Sequence, residues 1–131
     1  MGFLAKTDPI PGLQRILNKN EKDTRAHLEL AGLLAKKNDR AGAVDHYLRA
    51  AKAFIEDKHL HKASAAAKQA LVIDPKNVEA HEFLADLYEN GNLKEDARAI
   101  LKKLIDLYFN SGEQPLVIKT RERLNKLGPG R

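Results

Sequence analysis

Apolar residues recur along the chain at intervals of three and four, between short polar breaks. This spacing is typical of helices that bury one face, and Ile10, Leu13 and Leu17 form one such stripe. Asp23 and Asn77 stand before two further stripes as residues that cap helix N-termini. The pattern predicts an all-α chain of six to seven antiparallel helices, the first of which begins near Thr7. The predicted helices span about 9–18, 24–37, 40–57, 61–73, 78–90, 93–110 and 115–127.

Large and small residues also recur in a fixed order, which is clearest over positions 78–111. This segment shows the spacing His81-x2-Leu84-Ala85-x2-Tyr88, a turn at Gly91, and then Ala97-x3-Leu101. The large residues stand where two helices interlock, and the alanines stand where the helix backbones approach. This pattern resembles the tetratricopeptide repeat (TPR), although His81 replaces the usual first aromatic residue.

Two further copies of the pattern, at 24–57 and 44–77, overlap, so that helix 40–57 belongs to both. When the chain is moved along itself so that position 24 falls on position 78, His27 aligns with His81 and Phe54 with Tyr108. We call this displacement the repeat shift. The resemblance implies a right-handed α-solenoid. We therefore predict a single TPR-like domain at 1–131, made of an N-terminal helix or arm (1–23), a first three-helix unit (24–75) and a second unit (78–129) that includes the C-terminal capping helix.

The composition agrees with a packed helical domain. Apolar residues make up 43% of the 131 residues and aromatic residues only 5%, so alanine and leucine must supply most of the core. The chain has no cysteine, and no apolar run reaches the roughly 18 residues of a membrane span. We therefore predict a cytoplasmic protein without a transmembrane segment. The sequence gives no support for a homo-oligomer.

Residues suited to catalysis or metal binding are sparse. Ser64 lies inside a predicted helix and Ser111 in a turn, and neither stands beside a recognisable base. His59 and His61 form the closest histidine pair, with Glu56 nearby, but they lack the ligand number of a closed metal site. We therefore predict that the protein is not an enzyme and has no catalytic residue, cofactor or metal.

The formal charge of +5 makes nucleic acid a partner to consider. Lys119, Arg123 and Lys126 share one face of the last predicted helix, and such a face attracts nucleic acid or another anionic surface. Most aromatic residues, however, stand at packing positions of the repeat and are not free to stack on bases. Cations near a helix C-terminus also stabilise the helix itself. Nucleic-acid binding through this basic C-terminal helix is therefore the alternative hypothesis.

Acidic residues form a second charged face, on the predicted helix 78–90. Its members, at spacings of three, four and three, are Glu79, Glu82, Asp86 and Glu89. These spacings confine the four carboxylates to an arc of roughly 80°. Like charges so placed repel, and the helix dipole offsets the repulsion only near the N-terminus, so that at Asp86 and Glu89 it is not offset. The stripe is either a solvated face or a binding site for a basic or amphipathic segment.

In the TPR family, which the chain resembles, the first helices of the hairpins line a concave groove that binds a partner protein. The resemblance implies that this chain is a protein-binding adaptor or scaffold whose groove takes a partner segment. It also implies partner-binding roles for the groove-facing residues, which are Arg25, Leu28, Asp45, Leu48, Lys52, Glu79, Glu82, Asp86 and Glu89.

Overall fold

Seven α-helices make up the computed structural model, which describes residues 8–130. They are α1 (Ile10–Lys19), α2 (Thr24–Lys36), α3 (Arg40–Glu56), α4 (Leu60–Ile73), α5 (Val78–Asn90), α6 (Lys94–Asn110) and α7 (Gln114–Lys126). No strand occurs within the described residues, so the predicted all-α class is confirmed. Thr7 and the rest of 1–7 in the predicted arm lie outside the described range. No helix in 8–130 has both the length and the hydropathy needed to cross a membrane.

Side-chain caps and left-handed turns set the helix ends. The side chains of Asp23, Asp39 and Asn77 accept hydrogen bonds from backbone N–H groups at the starts of α2, α3 and α5. The turns after α2, α3, α5 and α6 each contain a residue with positive φ, namely Asn38 (64°), Lys58 (62°), Asn92 (58°) and Gly112 (77°). Asparagine and glycine suit this conformation, whereas the Cβ of Lys58 crowds its own backbone.

The helix bounds repeat with the period found in the sequence. The repeat shift moves Thr24–Lys36 onto Val78–Asn90 and Arg40–Glu56 onto Lys94–Asn110. It also moves the positive-φ residue of each turn onto the positive-φ residue of the equivalent turn. The helix predicted to belong to two overlapping repeats is continuous, as expected, because α3 runs unbroken over 17 residues.

The helices divide into two compact units, with the boundary between Ile73 and Asp74. Unit 1 contains α1–α4, and unit 2 contains α5–α7. This boundary lies beside the one between the predicted segments 24–75 and 78–129. The assignment of the whole chain to a single domain stays a prediction.

Small side chains hold unit 1 together. Helix α3 packs against both α2 and α4, while α1 packs against α2. The fully buried alanines of these helices are Ala31, Ala43, Ala50, Ala51, Ala63, Ala67 and Ala70. Such residues let helix axes approach to about 8–10 Å. The Arg40 guanidinium also donates a hydrogen bond to the Ile73 carbonyl, which links the start of α3 to the end of α4.

Unit 2 has a core of larger side chains. Its buried cluster consists of Ala85, Leu101, Leu104, Tyr108 and Val117. Helix α6 contributes most of this cluster because it packs against both α5 and α7. Beyond α7, Arg98 of α6 donates to the Gly128 carbonyl at 2.7 Å, which fixes the segment that follows the last helix.

Candidate functional site

The acidic stripe predicted from the sequence lies on α5, whose N-terminus is capped by Asn77. Glu79 stands in the first turn and is exposed. The side chains of Glu82 and Glu89 are only 34% and 24% exposed, whereas that of Asp86 is 71% exposed. Of these last three carboxylates, Asp86 is therefore the one most open to solvent.

Arg123 of α7 binds three carboxylates of the stripe. Its Nη1 donates to Glu82 Oε1 at 2.7 Å, and its Nη2 donates to Asp86 Oδ1 at 3.1 Å and to Glu89 Oε1 at 2.6 Å. A guanidinium suits this role because its N–H donors form a rigid fork. The expectation that the repulsion at Asp86 and Glu89 is not offset is therefore wrong. The offsetting charge comes from an arginine that is 37 and 34 residues away from them in sequence.

Tyr108 of α6 completes this group, which we call the acidic cluster and define as Glu82, Asp86, Glu89, Tyr108 and Arg123. The Tyr108 hydroxyl donates to Glu82 Oε2 at 3.2 Å. Burial of the phenol, together with the neighbouring Glu82 carboxylate, raises the pKa of Tyr108 to about 12. Because Arg123 donates to the other oxygen, each oxygen of Glu82 has its own donor.

The acidic cluster keeps a net negative charge. Three carboxylates face one guanidinium, which leaves two negative charges unbalanced. Partial burial raises the pKa of Asp86. Arg123 acts to lower this pKa, but burial and the repulsion from Glu82 and Glu89 together outweigh that attraction. Burial acts to lower the pKa of Arg123, but its bonds to Glu89 and Glu82 raise that pKa above the ordinary value. The cluster thus has more acceptors than donors.

The charged candidate residues of unit 1 have local partners. Arg25 pairs with Glu29 at 3.0 Å, and Asp45 pairs with Arg49 at 2.8 Å, each across one helical turn. Exposed pairs of this kind contribute about 0.3–0.5 kcal/mol, so they hold these side chains only weakly. Lys52 is exposed on α3.

Leu48 is not a surface residue. Only 3% of it is exposed, because α3 packs against two helices and buries most of its apolar side chains. Its prediction as a partner-binding residue is therefore wrong. The resemblance to the TPR family led us to place α3 among the helices that line a groove, whereas Leu48 belongs to the core of unit 1.

Leu28 of α2 borders open space instead. It is half-buried and lines a cavity of about 320 Å³ together with Phe54, Lys62, Ala65, Ala66 and Gln69. We call this cavity the apolar pocket. Phe54 belongs to α3 and the last four residues belong to α4. Sequence reasoning identified Leu28 alone, because only the fold brings α2 and α4 together.

Sequence reasoning placed Arg123 on a basic face and Tyr108 at a packing position, and so missed their part in the acidic cluster. The signal that could have found Arg123 is the repeat. Helix α7 corresponds to α4, and it therefore returns beside α5 as α4 returns beside α2. The engagement of Arg123 leaves Lys119 and Lys126, both exposed, as the remaining cations of the predicted basic face.

Two buried histidines occupy equivalent repeat positions but form different hydrogen bonds. His27 donates from Nε2 to the Glu21 carbonyl at 2.6 Å, so its Nδ1 accepts from Nδ1 of His46 at 3.0 Å. His81 instead donates from Nδ1 to the Asn77 carbonyl at 2.8 Å. Both histidines are packed in the interior, since only 2% and 3% of them are exposed.

The remaining histidine pair lies between α3 and α4. His59 and His61 are both exposed, and the His59 ring lies 6.3 Å from the ring of Phe54. Among residues 8–130, no group of three or more histidine, aspartate or glutamate side chains is arranged to hold a metal ion. The contact with Phe54 gives His59 a packing role at the turn.

Comparison with known proteins agrees with the repeat pattern. The family model described as Tetratricopeptide repeat matches residues 54–114, which include α4, α5 and α6. Two crystal structures of MamA are similar to the chain. One is 12% identical with a TM-score of 0.46 and covers 90% of this chain and 85% of that chain. The other is 13% identical with a TM-score of 0.47 and covers 90% and 80%. No curated protein matches the sequence.

Proposed function

We propose that this chain, which belongs to the tetratricopeptide repeat family, binds a basic segment of a partner protein at its acidic cluster. Tetratricopeptide repeats are protein–protein interaction modules, and the family is not one of enzymes. Protein binding is therefore the general function of the chain. The proposal adds the site, the basic character of the partner segment, and a role as a cytoplasmic adaptor or scaffold.

The unbalanced charge of the acidic cluster carries the proposal. Asp86 receives the longest of the three bonds from Arg123, at 3.1 Å, and its side chain is 71% exposed. A partner guanidinium or ammonium group at Asp86 would meet a carboxylate whose neighbours are also negative. Because the cluster is partly desolvated, this attraction is stronger than between charges fully in water.

Arg123 also restricts where a partner cation can lie. Its guanidinium occupies the space between Glu82 and Glu89, and a second cation there would be repelled. A basic partner residue is therefore directed to the exposed side of Asp86. Glu79 extends the acidic face by one turn, which suits a segment with more than one basic residue. Arg25, Asp45 and Lys52 of unit 1 stay predicted partner contacts.

Partner capture tests the proposal. After the partner has been identified by pull-down from the protein's own cell extract, its affinity is measured for the wild type and for Asp86→Asn. The amide keeps the shape of the side chain but removes its charge, so we expect binding to weaken several-fold with folding intact. Asp106→Asn, which neutralises an exposed acid on α6 outside the cluster, is the matched control. Equal affinities of the wild type and Asp86→Asn would overturn the proposal.

Salt dependence provides a second measurement on the same complex. Binding of the wild type should weaken between about 0.05 and 0.5 M salt, because the Debye length falls to a few ångströms. Asp86→Asn should show a smaller salt dependence, since it lacks the most exposed charge of the cluster. Parallel salt curves for the two proteins would place the electrostatic contact elsewhere.

The alternative function, nucleic-acid or anionic-surface binding through α7, has less support. It depends on the basic face, and Arg123 of that face is bonded to three carboxylates. Steeply salt-dependent binding to a DNA duplex, lost on replacing Lys119 and Lys126 by glutamine, would favour this alternative.

A further inference from the structure

The apolar pocket of unit 1 and the acidic cluster of unit 2 occupy the same positions of the repeat. The repeat shift moves Leu28 onto Glu82, Phe54 onto Tyr108 and Gln69 onto Arg123. In unit 2, Glu82 is joined to Tyr108 by a hydrogen bond of 3.2 Å and to Arg123 by one of 2.7 Å. In unit 1, their three counterparts line a cavity of about 320 Å³. The space that unit 2 fills with a polar network is thus open in unit 1.

The residue types explain why the network is missing from unit 1. Phe54 has no hydroxyl group to donate, and Leu28 has no carboxylate to accept. Gln69 is shorter than arginine and carries no charge, so it does not bridge from α4 to α2 as Arg123 bridges from α7 to α5. The remaining wall is made of Ala65 and Ala66, whose small side chains leave room between the helices.

The size and lining of the pocket select an apolar group. A closed apolar cavity of roughly 150 Å³ holds a benzene molecule, so about 320 Å³ accommodates a leucine or phenylalanine side chain. A water molecule is poorly stabilised in the pocket, because a bound water needs two to four polar partners. Phe54 is 8% exposed and Ala66 is 3% exposed, so the base of the pocket is part of the buried core.

The charge at the edge of the pocket determines which kind of group can bind next to the apolar side chain. Lys62 lines the pocket and is exposed, and α4 contains Lys62 and Lys68 but no aspartate or glutamate. On α2, the charge of Glu29 is matched by Arg25 at 3.0 Å. The edge is therefore positive, opposite in sign to the acidic cluster of unit 2.

We propose that the apolar pocket binds a large apolar side chain of a partner segment that carries a carboxylate next to it. The apolar side chain lies against Leu28, Phe54 and Ala66, and the carboxylate pairs with Lys62. This inference rests on the proposed function only in that the chain is a protein-binding module. It does not depend on the acidic cluster.

Short peptides with defined side chains test the pocket. The first probe is acetyl-Gly-Glu-Leu-Glu-Gly-amide, and its binding is followed by the NMR signals of the methyl groups of Leu28, Ala65 and Ala66. Replacing the leucine of the peptide by alanine should weaken binding by at least about tenfold, because several methylene-sized groups leave the pocket. Replacing both glutamates by lysine should also weaken it. Equal binding of the three peptides would overturn the proposal.

Variants of the protein locate the binding. Ala65→Leu fills the pocket from an exposed helix position and should abolish the methyl shifts, whereas Ala99→Leu, at an exposed position of α6, should not. Lys62→Glu should reverse the preference between the glutamate and lysine peptides, and Lys103→Glu, an exposed change on α6, should leave it unchanged. Both pocket variants change exposed side chains, so folding should be retained and is checked by circular dichroism.

Two results would assign the pocket to another occupant and overturn the inference. Methyl shifts that grow with protein concentration and need no peptide would show that a second copy of the chain fills the pocket. Stronger binding of the lysine peptide by the wild type would contradict the role of Lys62. Neither result bears on Asp86→Asn, so this test and that of the acidic cluster succeed or fail separately.

Discussion

Leu28 of unit 1 and Glu82 of unit 2 stand at the same repeat position, yet one lines an open apolar pocket and the other accepts bonds from Tyr108 and Arg123. The helices that carry them nevertheless have the same bounds after the repeat shift. The units share three pairs of buried alanines, Ala26 and Ala80, Ala31 and Ala85, and Ala43 and Ala97, and they share the positive-φ turns, whereas the residues on the presented face have diverged. A repeat thus fixes the backbone and leaves the binding chemistry free to change.

If buried alanines are what the two units share, enlarging either one should have a similar effect. Ala31 and Ala85 are both fully buried at equivalent positions. Ala31→Leu and Ala85→Leu should each destabilise the protein by about 1–3 kcal/mol, because the larger side chain pushes helices apart. Urea denaturation measures this, with Ala99→Leu at an exposed position as control. An unchanged midpoint for one of the two variants would show that the units do not share this packing.

Tyr108→Phe gives unit 2 the residue that unit 1 has at Phe54. The pKa of Tyr108 is about 12 in the folded chain, against an ordinary 10.0. Because the folded pKa is raised, the stability linked to it is present below pH 10 and is lost as the pH rises through about 12. The wild type should lose up to about 2 kcal/mol more than Tyr108→Phe over this range.

Chemical denaturation at several alkaline pH values measures this difference. Tyr47 and Tyr88 are present in both proteins, so their contributions cancel in the comparison. If the two proteins lose stability in parallel, burial and the Glu82 carboxylate do not raise the pKa of Tyr108 in the folded chain.

The turn after α3 contains Lys58 where the equivalent turn after α6 contains Gly112, and both have positive φ. Lys58→Gly relieves the crowding of a left-handed residue but gives the unfolded chain more freedom. We expect the relief to prevail, with a gain of about 0.5–1 kcal/mol in the free energy of unfolding. Asn38→Gly should change stability less, since asparagine tolerates this conformation. A destabilised Lys58→Gly variant would mean that the lysine side chain makes contacts that outweigh the strain.

The smallest effect concerns the His27–His46 bond, which unit 2 lacks because Ile100 stands at the position of His46. Burial lowers the pKa of His46, and repulsion from His27 adds to this, against the opposing effects of Asp45 and Asp39. Since the folded pKa lies below 6.5, the linked stability is present above pH 6.5 and is lost as the pH falls below it.

His46→Asn removes this titration. Between about pH 7.5 and pH 5.5, the urea midpoint of the wild type should therefore fall more than that of the variant. His61→Asn, which changes an exposed histidine, should keep the wild-type response. Equal sensitivity of the wild type and His46→Asn would show that another group governs stability in mild acid.

The helices could be predicted from the sequence because their signals are local. Asp23 and Asn77 mark helix starts, and the spacing of Ala85 and Ala97 marks a hairpin. Arg123 and Leu48 could not be assigned in this way. Whether a residue is buried or paired depends on which helices meet, and a charge on a helix surface carries no mark of its distant partner.

The pattern of helix contacts has a consequence for folding kinetics. Within residues 8–130, the extensive contacts join helices adjacent in sequence, so little loop entropy is lost when each pair forms. The acidic cluster is different, because Arg123 bonds to residues 34 to 41 positions earlier. We expect these bonds to form after the helices have paired. Removing them should therefore speed unfolding of unit 2 more than it slows folding, so that the charges which we propose for partner binding also determine how long the native unit persists.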